Sequence, residues 1–248
     1  GYKRLHYHHW FQFLFHKMLF CFMQLPRIYQ NYLSSSGIST DTRSLKKGDL
    51  FFALHGEKFN GNQFAEKAIL LGAIKVIVDD QKLASLSPLV IVVKDTLKTL
   101  QELATFHRTK LKTPIIAITG SNGKTTTKEL VREVLSQKYS VLATEGNLNN
   151  HIGVPLTLLK LKEHHELAII EMGANHIKEI ELLCNITQPN WGYITNFGKA
   201  HLEGFGGVKG VIKGKSELYD YLKAHKGLII LNSDDEKQLE QVGDYKKT

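Results

Sequence analysis

The chain has 248 residues, is 42% hydrophobic and carries 32 Lys and Arg against 24 Asp and Glu, a formal net charge of +8. That length buries one large core or two modest ones, and two distant cysteines, Cys21 and Cys184, argue against a disulfide scaffold and suit a reducing compartment. The basic surplus is spread along the chain without an arginine-rich run or an aromatic-interleaved basic patch, which disfavours a nucleic-acid interface and suits anionic metabolites.

Residues 1–25 differ from the rest. HHWFQFLFHKMLFCFMQL is dense in Phe and Met but broken by His16 and Lys17, too short and interrupted for a transmembrane span. Lys3 and Arg4 suit the start of a signal peptide, yet LFCFMQLPRIYQ offers no small-residue cleavage site. The segment reads as an extension of unassigned role, with membrane association as the alternative. His6, His8, His9 and His16 lack the acidic or Cys partners of a metal-binding tail.

From Pro26, PRIYQNYLSSSG predicts a short helix ending at Gly37. Lys47-Gly48-Asp49 is a turn signal before the strand LFFAL. FNGNQFAEKAILLGA predicts a loop and an amphipathic helix with Phe64, Ala65, Ala68, Ile69 and Leu71 near one face. IKVIVDD and PLVIVVKD are strands, and TLKTLQELATFHRTK is a helix turning Leu97, Leu100, Leu103, Ala104 and Phe106 inward. The alternation predicts a small α/β domain over residues 26–108.

After the polar link Lys110 to Pro114, residues 109–248 form a second α/β unit. PIIAITG is a nearly continuous apolar strand, as in a buried parallel sheet. KELVREVLSQKY is a helix, YSVLATEG a strand, ELAIIEMGAN a strand ending in Glu171, and IKEIELLCNITQP a helix closed by Pro189. NWGYITNFG is a strand, HLEGFGGVKGVIKGKSELYDYLKAHKG a glycine-rich loop and helix, and GLIILNSDD a last strand. EKQLEQVGDYKKT reads as helical, with the chain stopping inside that region.

Between the first strand and helix of this unit lies TGSNGKTTTKEL. Gly123, Lys124 and Thr125 match the end of the phosphate-loop signature G-x-x-x-x-G-K-[ST], but Ile118 stands where its first glycine belongs; the glycine comes two residues later, at Gly120. The chemistry still suits a nucleotide. Phosphates require inward-pointing backbone N–H groups, a helix N-terminus and a mobile cation. Gly120, Ser121, Asn122 and Gly123 supply the curved backbone, Lys124 the cation, Thr125 a hydroxyl for magnesium, and Thr126 the helix start. The alternative is a glycine turn with a solvated lysine. Glu171, at a strand's carboxyl end, suits a magnesium site, or is a strand-end glutamate facing water. His201 follows another such strand and is otherwise structural. Lys215 reads from its helix alone as a surface lysine.

In this order the segments resemble the Mur ligases of bacterial cell-wall synthesis, ATP-dependent amide-forming enzymes, from about Tyr29 to about Asp235. STDTRSLKKGDLFFALHGEKFNGNQFAEKAILLGA resembles their uridine-nucleotide-binding N-terminal domain. TGSNGKTTTKEL resembles the family's own short phosphate loop, in which Ile118 is expected. NLNNHIGVPLTLL, IIEMGANHIKEIE and ITNFGKAHLEGFG resemble the central ATPase domain. The EMGAN form points to the branch that joins D-alanyl-D-alanine to UDP-N-acetylmuramoyl-tripeptide.

The resemblance implies a small N-terminal α/β UDP-binding domain followed by a P-loop ATPase-type parallel-sheet ligase domain, truncated. It implies ATP and Mg2+, with Lys124 on the β and γ phosphates and Thr125 and Glu171 as metal ligands. His201 matches the histidine holding the other magnesium, and Lys215 the lysine that is carbamylated into a carboxylate-like metal ligand. Thr144, Asn149 and Asn150 match residues near the muramoyl-peptide, and Ser39, Thr40, Asp41 and Arg43 match part of the uridine-diphosphate pocket. The tripeptide carboxylate would attack the γ-phosphate, and D-alanyl-D-alanine would then attack the acyl phosphate. A cytoplasmic monomer is expected, with no nucleic-acid partner and no stable membrane insertion. Lacking the rest of the central domain and a third domain, the chain is expected to bind the UDP moiety but to ligate poorly or not at all. The alternatives are an amino-acid-adding Mur ligase, a folylpolyglutamate synthase-like ligase, which would lack the DTR…GDLFFAL…NGNQF domain, and a non-catalytic nucleotide-binding fragment. A simple P-loop kinase would need the longer loop spacing.

Overall fold

The computed structural model describes residues 24–56, 59–198 and 202–248. The apolar extension with its histidines and Cys21 lies outside the described residues, as does His201. The chain divides into two compact units between Leu103 and Ala104, inside the helix Thr96–Lys110.

In the first unit the opening helix covers 24–33 and stops short of the expected Gly37. Serine hydroxyls end it: Ser34 Oγ donates to the carbonyls of Gln30 and Asn31, and Ser35 Oγ to that of Tyr32 at 2.7 Å. Four parallel strands follow, side by side in the order Ile38–Ser39, Leu50–Phe52, Lys75–Val78 and Val90–Val92. Phe51, Ala53, Val76 and Val78 pack on Ala65 and Ala68 of the helix Ala65–Leu70. Leu71, expected inward, is 42% exposed, because the helix has ended and the residue serves as its C-cap. In Thr96–Lys110, Leu100, Leu103 and Ala104 are buried, but Leu97 and Phe106 are only half-buried. His107 and Arg108 are buried instead.

Those two polar residues are satisfied within the second unit. His107 Nε2 lies 2.8 Å from the Leu161 carbonyl. The Arg108 guanidinium donates to the carbonyls of Thr187, Leu111 and Gln188 and to Asn190 Oδ1, at 2.8 to 3.2 Å. It therefore caps the carboxyl end of the helix Glu179–Thr187, where the macrodipole favours a cation.

The second unit is built on five parallel strands in the order Leu228–Ile230, Trp191–Ile194, Ile115–Thr119, Leu167–Glu171 and Val141–Ala143. Ile115–Thr119 and Leu167–Glu171 are buried at every position, as their apolar runs require. Ile116, Ile118 and Ile169 meet Val131 and Leu135 of the helix Lys124–Leu135 on one face. Gly192 pairs with Ala117, so it lies on the opposite face, where Leu218 and Leu222 of the helix Val208–Ala224 approach closely. A short helix, Leu202–Phe205, forms within the segment expected to be a glycine-rich loop, and Gly153–Leu158 adds a helix not read from the sequence. The last helix, Glu236–Val242, ends within the chain instead of continuing to its final residue.

From Ile115–Thr119 the chain moves to one side of the sheet, then crosses back to Trp191–Ile194 on the other. That reversal opens a crevice at the carboxyl ends of the strands, the usual ligand position in open α/β sheets.

Candidate phosphate and metal site

Ile118 is a wholly buried strand residue opposite Glu171, and its carbonyl accepts the N–H of Met172 at 2.8 Å. The strand therefore runs through the position where the longer signature would already be turning. The turn begins at Gly120, whose φ is +139° and whose Cβ, if present, would lie 2.0 Å from Thr195 Oγ1. Gly123, at φ +75°, then starts the helix Lys124–Leu135.

The loop is tied to the segment after the neighbouring strand. Ser121 N–H donates to the Asn196 carbonyl at 3.0 Å, and Ser121 Oγ to that of Gly198 at 3.2 Å. Thr195 Oγ1 and Asn196 Nδ2 donate to the Asn122 carbonyl at 2.6 and 3.1 Å. Lys124 folds back over the loop and donates from Nζ to the Gly120 and Ser121 carbonyls at 2.8 and 3.3 Å. Burial lowers its pKa, with Glu171 opposing the shift. Thr126 is exposed on the first helical turn.

Glu171 is 1% exposed and does not face water. Its Oε1 accepts from Asn149 Nδ2 at 2.8 Å and from Thr125 Oγ1 at 3.2 Å. Its Oε2 is buried and has no hydrogen-bond partner among the described residues. Leaving a buried polar atom unpaired costs about 1–3 kcal/mol, more when charged. Such an atom beside a threonine hydroxyl, at the mouth of a phosphate-type loop, fits a hard divalent cation; magnesium takes few protein ligands and completes its shell with phosphate and water. No group of three His, Cys, Asp or Glu residues able to hold a metal is present among the described residues.

Lys215 is 1% exposed, so its reading as a surface lysine is corrected. The helix Val208–Ala224 turns it inward, where Nζ donates to the Ala174 carbonyl at 3.1 Å and lies 5.2 Å from the Phe205 ring centroid. Burial, then the charge of Lys124, pushes its pKa down to about 8, with Glu179 and Glu217 opposing. Lys215, whose charge Lys124 disfavours, therefore shares this end of the sheet with Lys124 and Glu171.

Thr144 is buried, and its Oγ1 accepts the Glu171 backbone N–H at 2.9 Å. Asn149 reaches Glu171 directly, whereas Asn150 Oδ1 accepts the N–H groups of Ile152 and Gly153 and starts the helix Gly153–Leu158. Asn149 and Asn150 line a 410 Å³ cavity with Lys124, His151, Asn175 and Glu179. Sequence reasoning missed Glu179 and Glu217. Glu179 is drawn up by burial, yet the Asn175 and His176 donors outweigh this and lower its pKa. Glu217 accepts the N–H groups of Lys178 at 2.6 Å and Glu181 at 2.9 Å, tying the Lys215 helix to the turn after Asn175. Its only sequence signal was its place two residues after Lys215.

Ser39, Thr40, Asp41 and Arg43 lie in the first unit, at the carboxyl end of its first strand. Ser39 Oγ donates to the Asp41 carbonyl at 2.8 Å. Arg43 donates to both Asp41 oxygens and, through its backbone N–H, to Oδ1. The side-chain hydrogen bond from Arg43 is the main reason the Asp41 carboxyl sits at about 2. Arg43 remains exposed.

A parallel α/β fold with a cation-bearing glycine loop at its switch point defines an anion-handling class of protein. The chain belongs to the Mur ligase family: residues 118–247 match the Mur ligase middle domain, and residues 34–108 match the model described as Mur ligase family, catalytic domain. It is 46% identical over 201 residues to the UDP-N-acetylmuramoyl-tripeptide--D-alanyl-D-alanine ligase of Haemophilus influenzae, covering 79% of this chain and 44% of that protein. The ligase of the same description from Escherichia coli is 42% identical over 202 residues, covering 82% and 44%. The crystal structure of a MurF ligase from Thermotoga maritima in complex with ADP superposes with a TM-score of 0.77 at 30% identity, covering 85% of this chain and 48% of that one. The chain thus spans about half the length of the curated relatives it matches. Among the described residues, no helix is long and apolar enough to cross a membrane.

Proposed function

We propose that the protein containing this chain is an ATP-dependent ligase that joins D-alanyl-D-alanine to UDP-N-acetylmuramoyl-tripeptide through an acyl phosphate, in the cytoplasm and as a monomer. The observation that carries the reading is the convergence of Lys124, Thr125 and the unpaired Glu171 carboxylate at the switch point of a P-loop ATPase-type sheet. Relatives bearing that activity in their description support the substrate assignment.

The domain layout follows the same reading: residues 26–108 hold the UDP moiety through Ser39, Thr40, Asp41 and Arg43, and residues 109–248 hold ATP. Gly120, Ser121, Asn122, Gly123 and Thr126 would form the loop and helix start that curve around the phosphates. Lys124 leaves the Gly120 and Ser121 carbonyls for the β and γ phosphoryl oxygens. Thr125 and Glu171 would hold magnesium, and by the family resemblance His201 and Lys215 would serve a second ion. Bound magnesium would offset the charge that gathers on the phosphoryl oxygens. Thr144, Asn149 and Asn150 would lie near the muramoyl-peptide.

Lys215 suits carbamylation. Its pKa, lowered to about 8 by burial and then by Lys124, raises the share of free amine near neutral pH far above that of an ordinary lysine. The Nζ lone pair attacks carbon dioxide, an N–C bond forms, one C=O π pair moves to oxygen, and the amine proton leaves to water. A cation opposed by Lys124 becomes an anion attracted to it.

The test is phosphate release from ATP by the full-length gene product with UDP-N-acetylmuramoyl-tripeptide and either D-alanyl-D-alanine or single amino acids. Release that requires D-alanyl-D-alanine supports the proposal, and release driven by a single amino acid alone overturns it.

A further inference from the structure

Lys128 is 0% exposed, one helical turn beyond Lys124 on the same helix. Its Nζ donates to the Thr144 carbonyl at 2.6 Å and pairs with Glu129 Oε1 at 2.8 Å. Taking an ammonium out of water is costly, so a fully buried one calls for a specific partner. The charge has a specific target. Thr144 is the residue whose hydroxyl accepts the Glu171 N–H at 2.9 Å, and its own N–H donates to the Ile169 carbonyl. Thr144 also opens the segment that leads to Asn149, which holds Glu171 Oε1.

We infer that Lys128 is a positioning residue that, through Thr144, locks the Glu171 carboxylate in register with the phosphate-loop helix. The inference rests on reading Glu171 as a metal ligand. One rigid link then joins the element that carries Lys124 and Thr125 to the strand end that carries the carboxylate. Without it, the strand end shifts against the helix and the oxygens on the two elements no longer converge on one ion.

The test is binding of Mn2+ in the presence of ATP to the 248-residue chain, read by electron paramagnetic resonance alongside thermal unfolding. Lys128→Met is expected to weaken Mn2+ binding by about tenfold, the lower end of what losing a group that orients a metal ligand costs, and to lower the unfolding midpoint for the Thr144 carbonyl left unpaired, with binding read well below that midpoint. Lys128→Arg, which keeps a donor toward Thr144, is expected to recover most of the loss. Glu171→Gln separates the two ideas: if it binds Mn2+ as the unsubstituted chain does, the metal reading itself fails. If Glu171→Gln loses Mn2+ while Lys128→Met keeps it, the positioning role is overturned. Should Lys128→Met not fold, Lys128→Gln decides, weakened Mn2+ binding that Lys128→Arg does not share supporting the link and unchanged binding refuting it.

Discussion

Replacing Glu171 with Gln separates a functional acid from a structural one. The amide keeps an oxygen able to accept from Asn149 and Thr125, so the contacts of Oε1 survive. What changes is the second oxygen, buried and unpaired, whose charge is lost. Against the ~1–3 kcal/mol cost of an unpaired buried polar group, the substitution should recover about 1 kcal/mol, since an amide nitrogen there is still unpaired but uncharged. For a chain of this size that raises the unfolding midpoint by roughly 2–4 °C. Magnesium and ATP reverse the order: a ligand at a hundred times its dissociation constant stabilises the native state by about 2.7 kcal/mol, and the variant should receive little of it. The assay is urea unfolding with and without magnesium and ATP, followed by Trp191 fluorescence in a Trp10→Phe background so that the second unit is observed. A variant less stable than the parent without ligand would show Glu171 to be a satisfied structural acid. Equal stabilisation of both by ligand would remove it from the site.

Lys215→Met is expected to flatten the rise of stability with pH. The folded pKa of about 8 lies below the ordinary lysine value of 10.5, so the unfolded chain holds the extra proton between those limits. Stability therefore climbs there by up to about 1.4 kcal/mol per pH unit, and chemical denaturation between pH 8 and 10.5 should show the parent climbing and the variant not. In the same protein, 13C-labelled bicarbonate should give a carbamate resonance that Lys215→Met abolishes. Gly120→Ala should destabilise by at least about 2 kcal/mol, because its Cβ overlaps Thr195 as well as adopting a strained φ. Gly123→Ala meets nothing within 4 Å and should cost only about 1–2 kcal/mol for its left-handed φ; urea midpoints that reverse this order would refute the loop geometry. Arg108→Met, which leaves the end carbonyls of a helix without their donor, should cost about 3 kcal/mol by urea unfolding while leaving Mn2+ affinity unchanged.

Periodicity made the sheet strands of the second unit legible, because parallel strands buried on both faces must be apolar throughout. It misled where a residue's neighbours are distant in sequence. His107 and Arg108 are not among the residues whose apolar spacing turns them inward, yet they are buried because carbonyls at Leu161, Thr187 and Gln188 come to meet them. Lys215 read as solvated for the same reason: its partners, Ala174 and Phe205, come from other elements. Lys128 did carry a signal, four residues after Lys124 on a helix, but nothing local distinguished it from an exposed lysine.

The sequence alone determined where a phosphate-type loop lies, since two glycines, a lysine and a threonine between an apolar strand and a helix are a local requirement of backbone curvature and charge. It also determined the α/β alternation, which follows from which residues repel water. Only the tertiary structure decided that Ile118 remains in the strand and the turn begins at Gly120, that Glu171 is buried with one oxygen unpaired, and that Lys215 sits where the charge of Lys124 opposes its own. Burial and charge coupling depend on residues brought together from separate strands and helices, and no local pattern encodes those distances.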